Sequence, residues 1–140
     1  MPQSGYSGTP LGKKLGIKEG FKIRLENEPT NYFDLVSDMP PNCIRVNDKK
    51  TSKDFVHYFT KKSAELQRDI TSLRSEIFPN GTLWVSWPKK TAKIETDITE
   101  DVIRNIALAN GLVDVKVCAV DDIWSGLKLV VPAKDRNASR

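Results

Sequence analysis

The sequence has few of the residues that usually mark a metal or redox site. It contains a single histidine, and its two cysteines, Cys43 and Cys118, are far apart and lack a C-x-x-C partner. Zinc commonly takes four Cys or His ligands, so we predict no metal site. No apolar run approaches the roughly 18 residues that cross a bilayer, and residues 1–10 lack the basic and apolar regions of a secretory signal. We therefore expect a cytoplasmic protein with reduced thiols and no membrane partner.

Length and composition indicate one ordinary globular domain. A chain of 140 residues with 39% hydrophobic and 29% charged residues can bury a core of its own. We predict a flexible N-terminal segment at residues 1–9, a single α/β domain at 10–132 and a flexible tail at 133–140. The formal net charge of +4 favours an anionic partner, although the distribution of the charges matters more than their sum.

Helical and strand patterns alternate along the chain, which predicts a mostly parallel sheet covered by helices. The last two strands are joined tightly and should form an antiparallel hairpin at one edge. The link between the second and third strands is too short for a helix, so either an extended loop makes it or one strand is misread. The predicted helices are 10–15, 31–37, 63–78 and 100–110, and the predicted strands are 21–27, 42–47, 54–60, 82–88, 112–120 and 126–131.

The helix at 63–78 is amphipathic and should pack one face against the sheet. The residues on that predicted inner face are Leu66, Ile70, Leu73 and Ile77.

The strand at 82–88, TLWVSWP, carries two tryptophans and then a proline and two lysines. Trp84 and Trp87 are three residues apart, so they point to opposite faces of the strand. Both faces are apolar, as in a central strand covered by helices on both sides. Pro88 ends the ladder and fixes the direction in which the chain leaves the sheet.

In two segments, the order of turn residues, hydrophobic strands and helices resembles that of the class I methyltransferases. FPNGTLWVSWP, followed by a helix and a closing hairpin, resembles the second half of that fold, and LGIKEGFKIRL resembles the lead-in to its first strand. The resemblance implies a three-layer, Rossmann-like, mostly parallel sheet. In that family a glycine-rich turn after the first strand lets backbone approach the cofactor. Residues 27–31, NEPTN, contain no glycine, which predicts that adenosylmethionine is not held in the usual way.

Longer motifs resemble a family of small bacterial proteins known only as a domain of unknown function. These motifs are YSGTPLGKKLGIKEG, LWVSWPKK and TDITEDVIRNIALANGLVDVKVCAVDDIWSGLKLV, and together they cover nearly the whole chain. The resemblance implies no catalytic residues and no cofactor, so both stay unassigned.

Three lysine doublets each follow a predicted strand. They are Lys49-Lys50, Lys61-Lys62 and Lys89-Lys90, and Trp87 immediately precedes the last of them. Because the carboxyl ends of parallel strands share one edge of a sheet, we expect these residues to form an anion-binding edge. The alternative is a solvated, lysine-rich surface.

Four further residues are candidates for the rim of a pocket. Asn27 ends the first predicted strand, and Tyr6 lies in a segment that could cover a site. Asp121 and Trp124 lie in the final hairpin connection, where Asp121 and the adjacent Asp122 could bind a cation or act as a base, or simply accept backbone N–H bonds in the turn. His57 is expected to be a hydrogen-bonded core residue, since no motif places a nucleophile beside it.

These features favour a non-catalytic binding module for an anionic small molecule or a protein partner. The alternative is a divergent methyltransferase-like enzyme that uses a nucleotide-like cofactor. Nucleic-acid binding ranks third, because the aromatic residues lie mostly in predicted strands and are not interleaved with the basic residues. The oligomeric state is left open.

Overall fold

The computed structural model describes residues 8–136, which form a six-stranded sheet between two layers of helices. A turn of 3-10 helix at Lys90–Ala92 follows the fourth strand. The helices are α1 (Leu11–Leu15), α2 (Tyr32–Leu35), α3 (Ser63–Glu76), α4 (Glu100–Ala109) and α5 (Ala133–Arg136), and the strands are β1 (Lys22–Glu26), β2 (Ile44–Arg45), β3 (Lys53–Phe59), β4 (Ile77–Pro88), β5 (Val113–Ala119) and β6 (Trp124–Val130).

The strand order across the sheet is β2-β1-β3-β4-β6-β5. The first four strands in this order are parallel, and β6 pairs antiparallel with both β4 and β5. The predicted fold class, a mostly parallel sheet with a C-terminal antiparallel hairpin, is therefore confirmed. None of the helices within residues 8–136 is long and apolar enough to cross a membrane.

Each face of the sheet has its own core. On one face, α3 and α4 pack against the sheet, and Leu66, Ile70 and Leu73 of α3 are buried as predicted. On the other face, α1 and α2 cover a core that contains Trp84. Trp87 belongs to the α3 and α4 side, so the two tryptophans of β4 do point to opposite faces.

The first helix is anchored by residues far away in the sequence. Its amide groups at Gly12 and Lys13 donate to the carboxylate of Asp38, at 2.8 and 3.0 Å. A Cβ on Gly12 would lie 2.7 Å from Asp38 Oδ1, so a larger residue would displace this carboxylate from the amides that it accepts. The indole Nε1 of Trp84 donates to the Leu15 carbonyl at 2.9 Å, which ties the last residue of α1 to the centre of the sheet.

The short link between β2 and β3 has a simple geometry. β2 has only two residues, and Ile44 pairs with Lys22 at the amino end of β1. Because β3 also begins at that end, an extended loop of residues 46–52 suffices, and no helical crossover is needed. The predicted strand at 42–47 is therefore much shorter than its pattern suggested.

The boundary between α3 and β4 differs from the prediction as well. The helix ends at Glu76 rather than at residue 78, and β4 begins at Ile77, five residues before the predicted start. An irregularity between the Lys53↔Ile77 and Phe55↔Thr82 pairs accommodates the extra residues of β4. Gly81 is needed in this stretch, because a Cβ there would lie 3.0 Å from the Lys53 carbonyl oxygen.

A buried cluster of charges joins β1, β3 and the end of α3. Arg24 donates two hydrogen bonds to the Glu76 carboxylate, at 2.5 and 2.6 Å, and Lys53 Nζ lies 3.0 Å from the same group. Lys53 and Glu76 are almost completely buried, at 0% and 1% exposure. The Glu76 carboxylate therefore pairs with two buried cations, of which Arg24 also pairs with Glu26 at 2.8 Å.

Candidate functional site

The most suitable place for a ligand is the edge where β1, β3 and β4 end, here called the carboxyl edge. From β1 the chain moves to β2 on one side and then to β3 on the other, so the strand order reverses between β1 and β3. In open parallel sheets, ligands bind outside the carboxyl ends of the strands at such a switch point.

A crevice of about 350 Å³ lies at this switch point, here called the switch-point crevice. Its volume is within the range of small-molecule sites. It is lined by Asn27, Phe59, Thr60, Lys61, Lys62, Glu65 and Trp124.

Asn27 forms the floor of the crevice at the end of β1. Its backbone is left-handed, with φ of 60°, and asparagine is one of the few side chains that tolerate this conformation. Its side-chain Nδ2 donates to the Phe59 carbonyl at 3.2 Å, which links the ends of β1 and β3. Asn27 therefore makes the sharp turn after β1 that a glycine would otherwise make.

Two aromatic rings form one wall. Phe59 and Trp124 meet edge to face, with ring centroids 5.1 Å apart. The Asp121 carboxylate holds the turn before Trp124 in place, because its Oδ1 accepts from the amides of Ile123 and Trp124 at 2.9 and 2.8 Å. Asp121 is thus used as a turn cap, and it does not line the crevice.

The opposite wall is polar. The hydroxyl of Thr60 donates to Glu65 Oε1 at 2.8 Å and accepts from the Lys62 amide at 3.1 Å. These bonds orient the start of α3 towards the crevice, while the side chains of Lys61 and Lys62 are exposed to solvent.

Two further cavities continue along the carboxyl edge. One, of about 530 Å³, lies between Lys61-Lys62 and residues 95–97. The other, of about 700 Å³, lies between Trp87, Lys89, Lys90 and the start of α4, where Glu100 and Asp101 also line it. Together with the switch-point crevice they form a nearly continuous groove.

The loop before α4 is fastened to the start of α3. Asp97 accepts from the Ser63 amide at 2.8 Å and from the Ser63 hydroxyl at 2.7 Å, and these bonds lower the pKa of its carboxyl group. Lys62 occupies the N-cap position of α3, and Ser63 is the first helical residue. The Asp97 carboxylate therefore already accepts a hydrogen bond from an amide at the positive, N-terminal end of α3.

A buried chain of polar groups lies beneath the groove. The Tyr32 hydroxyl is 2.9 Å from His57 Nδ1, and Ser86 Oγ is 2.7 Å from His57 Nε2. Burial lowers the pKa of His57 to about 3, so the ring is neutral at physiological pH. Because His57 and Ser86 are fully buried, this chain serves the core, as predicted for His57.

The structure brings together two of the three predicted lysine doublets. Lys61-Lys62 follow β3 and Lys89-Lys90 follow β4, both at the carboxyl edge, where Trp87 also lies. Lys49-Lys50 lie instead in the 46–52 loop, which joins the end of β2 to the start of β3, near the amino ends of β1 and β3. The expected convergence of three doublets fails for this pair, because β2 is too short to carry the chain to the carboxyl edge.

The candidate rim residues separate in the same way. Asn27 and Trp124 both line the switch-point crevice, whereas Tyr6 lies outside the described residues. Sequence reasoning missed Phe59, Thr60 and Glu65. They follow directly from the end of the third predicted strand, so their position beside the switch point was the signal that could have found them.

Within residues 8–136, no three Cys, His, Asp or Glu side chains are grouped as a metal site would require. No known family profile and no curated protein matches the chain.

Solved structures do match the fold. DhpI with bound SAH has a TM-score of 0.62 at 10% identity, over 89% of this chain and 83% of that one. A SAM-dependent methyltransferase from Aquifex aeolicus has a TM-score of 0.58 at 15% identity, over 85% and 87% of the two chains. Magnesium protoporphyrin IX methyltransferase from Synechocystis PCC 6803 with bound SAH has a TM-score of 0.56 at 12% identity, over 81% and 75%.

These similarities correct the functional prediction. The preference for a non-catalytic binding module, and for a protein that is not an enzyme, is wrong, because the similar structures include methyltransferases with SAM or SAH bound. They favour the methyltransferase-like alternative. The chain therefore has the three-layer Rossmann-like fold of SAM-dependent methyltransferases.

Proposed function

We propose that the chain is a divergent methyltransferase-like enzyme that binds a nucleotide-like cofactor, S-adenosylmethionine, in the switch-point crevice. The observation that carries the proposal is the position of this crevice between the ends of β1 and β3. A concave site at the switch point of a sheet is where the fold provides for a ligand.

The residues present fit an adenosine-containing molecule. Trp124 is partly exposed and offers a ring face on which a base can stack, with the buried Phe59 behind it, and Asn27 and Glu65 offer polar groups for the sugar. The turn after β1 contains no glycine, so the cofactor rests against this aromatic wall rather than in a glycine-rich cradle. When bound, the cofactor supplies an activated methyl group.

The lysines suggest the charge of the acceptor. Lys61, Lys62 and Lys90 are exposed along the groove, and Trp87 and Lys89 line the cavity at the end of β4. Ammonium groups beside an apolar wall suit an anionic small molecule. We assign the acceptor to this cavity, next to the switch-point crevice.

The first test measures binding of SAM and SAH by calorimetry. Stacking of a base on an aromatic side chain is worth about 1–3 kcal/mol, so Trp124→Ala should raise the dissociation constant about tenfold or more. Ile123→Ala is the matched control, because Ile123 is exposed, adjacent and outside the crevice lining. Absence of binding to the wild type, or equal effects of the two variants, contradicts the proposed site.

The second test addresses catalysis. The wild-type protein is incubated with methyl-labelled SAM and a bacterial small-molecule extract, and the label is followed into anionic products separated by ion exchange. Lys89→Ala/Lys90→Ala should reduce this transfer while leaving SAH binding unchanged. Transfer equal to that of heat-denatured protein would mean that the fold has lost the reaction.

The motif resemblance also supports a proposal about the protein family to which the chain belongs. The segments YSGTPLGKKLGIKEG and LWVSWPKK support membership of the small bacterial family named above. The cytoplasmic location and the anionic partner also stay predictions.

A further inference from the structure

A separate cavity, here called the helix cavity, lies between α1 and α2. Its volume is about 260 Å³, slightly below the range of drug-sized pockets, so it suits a small molecule or one end of a larger one. The lining residues that matter most are Leu11, Lys14, Asp34, Leu35 and Val120. None of them lines the switch-point crevice, so the helix cavity is a second concave site.

The helix cavity has one positive and one negative side chain in its lining. Lys14 belongs to α1, and Asp34 belongs to α2. Lys14 Nζ donates to the Ala119 carbonyl at 3.4 Å, which holds this ammonium group beside the end of β5. Asp34 is exposed, and its carboxylate presents two acceptor oxygens. A ligand in the cavity would therefore meet an ammonium group from one helix and a carboxylate from the other.

The two helices that carry these charges are fixed by bonds outside the cavity. The carboxylate of Asp38, three residues after the end of α2, accepts from the Gly12 and Lys13 amides of α1. On α2, Tyr32 is buried, and its hydroxyl lies 2.9 Å from His57 Nδ1. The walls are thus positioned before a ligand arrives, which reduces the entropy that binding would otherwise lose.

The remaining wall of the helix cavity is largely apolar. Leu11 and Val120 are buried in the core that contains Trp84, and the half-buried Leu35 packs against the same core. The cavity therefore offers apolar surface to the aliphatic part of a ligand and two charges of opposite sign to its polar groups.

The helix cavity lies close to the switch-point crevice. Val120 lines the cavity and Trp124 lines the crevice. The Val120 amide donates to the Trp124 carbonyl at 2.9 Å, so a backbone hydrogen bond joins the two linings. One elongated molecule can therefore occupy both spaces.

We propose that the helix cavity binds an amino-acid group, with the carboxylate of the ligand on Lys14 and its ammonium group on Asp34. An amino acid carries one charge of each sign on the same carbon atom, which matches the two charges of the cavity. A simple anion is less suitable because Asp34 repels it, and a simple cation is less suitable because Lys14 repels it. The amino-acid group belongs either to a free amino acid or to the amino-acid end of SAM, and the second source rests on the function proposed above.

The first arm of the test titrates leucine and methionine into the wild-type protein by calorimetry. Isoamylamine and 4-methylpentanoate are the matched probes, because each keeps the carbon skeleton of leucine and only one of its two charges. Leucine should bind about tenfold or more tightly than either probe, as expected when one hydrogen bond to a charged group is lost.

The second arm compares SAH with 5′-methylthioadenosine, which has the same adenosine and sulfur but lacks the amino-acid end. Lys14→Met and Asp34→Asn should each weaken SAH binding about tenfold and change methylthioadenosine binding less than about twofold. Lys13→Met and Asp122→Asn are the controls, because both residues are exposed and lie outside the cavity lining. Thermal midpoints check that every variant is folded.

Each outcome decides the proposal. Loss of SAH affinity in the two cavity variants, with methylthioadenosine unaffected, supports it and makes the cofactor the source of the amino-acid group. Binding of leucine or methionine that the same variants weaken supports it with a free amino acid as the source. The proposal is overturned when neither pattern appears. If SAH and methylthioadenosine both fail to bind the wild type, the proposed function fails, and the first arm alone decides whether the helix cavity binds amino acids.

Discussion

Glu76 is the residue on which the buried charges of the sheet depend. Its carboxylate accepts from Arg24 and lies beside Lys53, and both cations are buried; Glu26, which is partly exposed, also pairs with Arg24 at 2.8 Å. Replacing the Glu76 carboxylate leaves both cations with less opposite charge in a medium that solvates them poorly.

We expect Glu76→Gln to lower the free energy of unfolding by about 3–5 kcal/mol, the usual cost of breaking a buried pair. Chemical denaturation measures this loss. Glu100→Gln is the control, because Glu100 pairs with a half-buried Arg104 that also contacts Asp101 and Asp114, and its loss should be below about 1 kcal/mol. Similar losses for the two variants would mean that breaking the buried ion pairs of Glu76 costs no more than breaking the more exposed pair of Glu100.

His57 makes stability depend on pH in a range where other groups do not titrate strongly. Burial lowers its pKa to about 3 in the folded protein, against 6.5 for an ordinary histidine, so the unfolded chain binds the proton more readily. Stability contributed by the neutral ring is fully present above pH 6.5 and is lost as the pH falls towards 3.

Between pH 7.5 and 5 we expect the free energy of unfolding to fall by about 2 kcal/mol from His57 alone. Because the chain has a single histidine, urea denaturation at these two values isolates the effect. Titration of the imidazole by NMR checks the cause directly. A folded-state midpoint near 6.5 would contradict the burial and hydrogen bonding described for this ring.

At the scale of elements, α3 is stabilised mainly by the residues it turns towards the sheet. Leu73 is 2% exposed within the core shared by α3 and α4. Leu73→Ala should therefore lower the free energy of unfolding by about 2–5 kcal/mol. Gln67→Ala, on the exposed side of the same helix, should leave stability within about 0.5 kcal/mol of the wild type. Equal losses in a denaturation series would mean that the helix is not packed as described.

The types of the elements could be predicted because periodicity is a local property. Alternation in β1 and helical spacing in α3 are both present in short windows of sequence. The capping of the first turn of α1 could not be predicted, because the carboxylate that accepts its amides comes from Asp38, which is 26 positions from Gly12. The length of β2 likewise depends on how many residues pair with β1, and a short window of sequence does not contain that information.

The candidate site was predictable in part for the same reason. Lys61-Lys62 and Lys89-Lys90 follow well-defined strands, so their edge could be inferred from the parallel order. Lys49-Lys50 were misplaced because their position depended on the length of β2. The contact between Lys116 Nζ and the Lys14 carbonyl could not be predicted either, since the two residues are 102 positions apart in the sequence.

For the whole molecule, the sheet should divide into a stable centre and a weaker margin. β3 and β4 each have a neighbouring strand on both sides. β3 is almost completely buried, and β4 is buried from Leu83 onwards, whereas both residues of β2 are exposed. We expect amides of Val56 and Val85 to exchange with solvent only on global unfolding, and the amide of Val46 to exchange orders of magnitude faster. Hydrogen exchange followed by NMR measures this difference. Equal protection at the three positions would mean that β2 unfolds together with the centre.

The bond between Trp84 and the Leu15 carbonyl also bears on how the chain is made. A helix of five residues has no stability of its own, so α1 depends on partners that lie 69 positions further along, in β4, and beyond it in β5. A ribosome delivers residues in order, and α1 therefore leaves it long before anything exists to hold it. Although α1 is synthesised before the sheet that holds it, it is consequently among the last elements to be fixed, and until Trp84 emerges the apolar side chains of Leu11 and Leu15 are exposed to chaperones and to neighbouring chains.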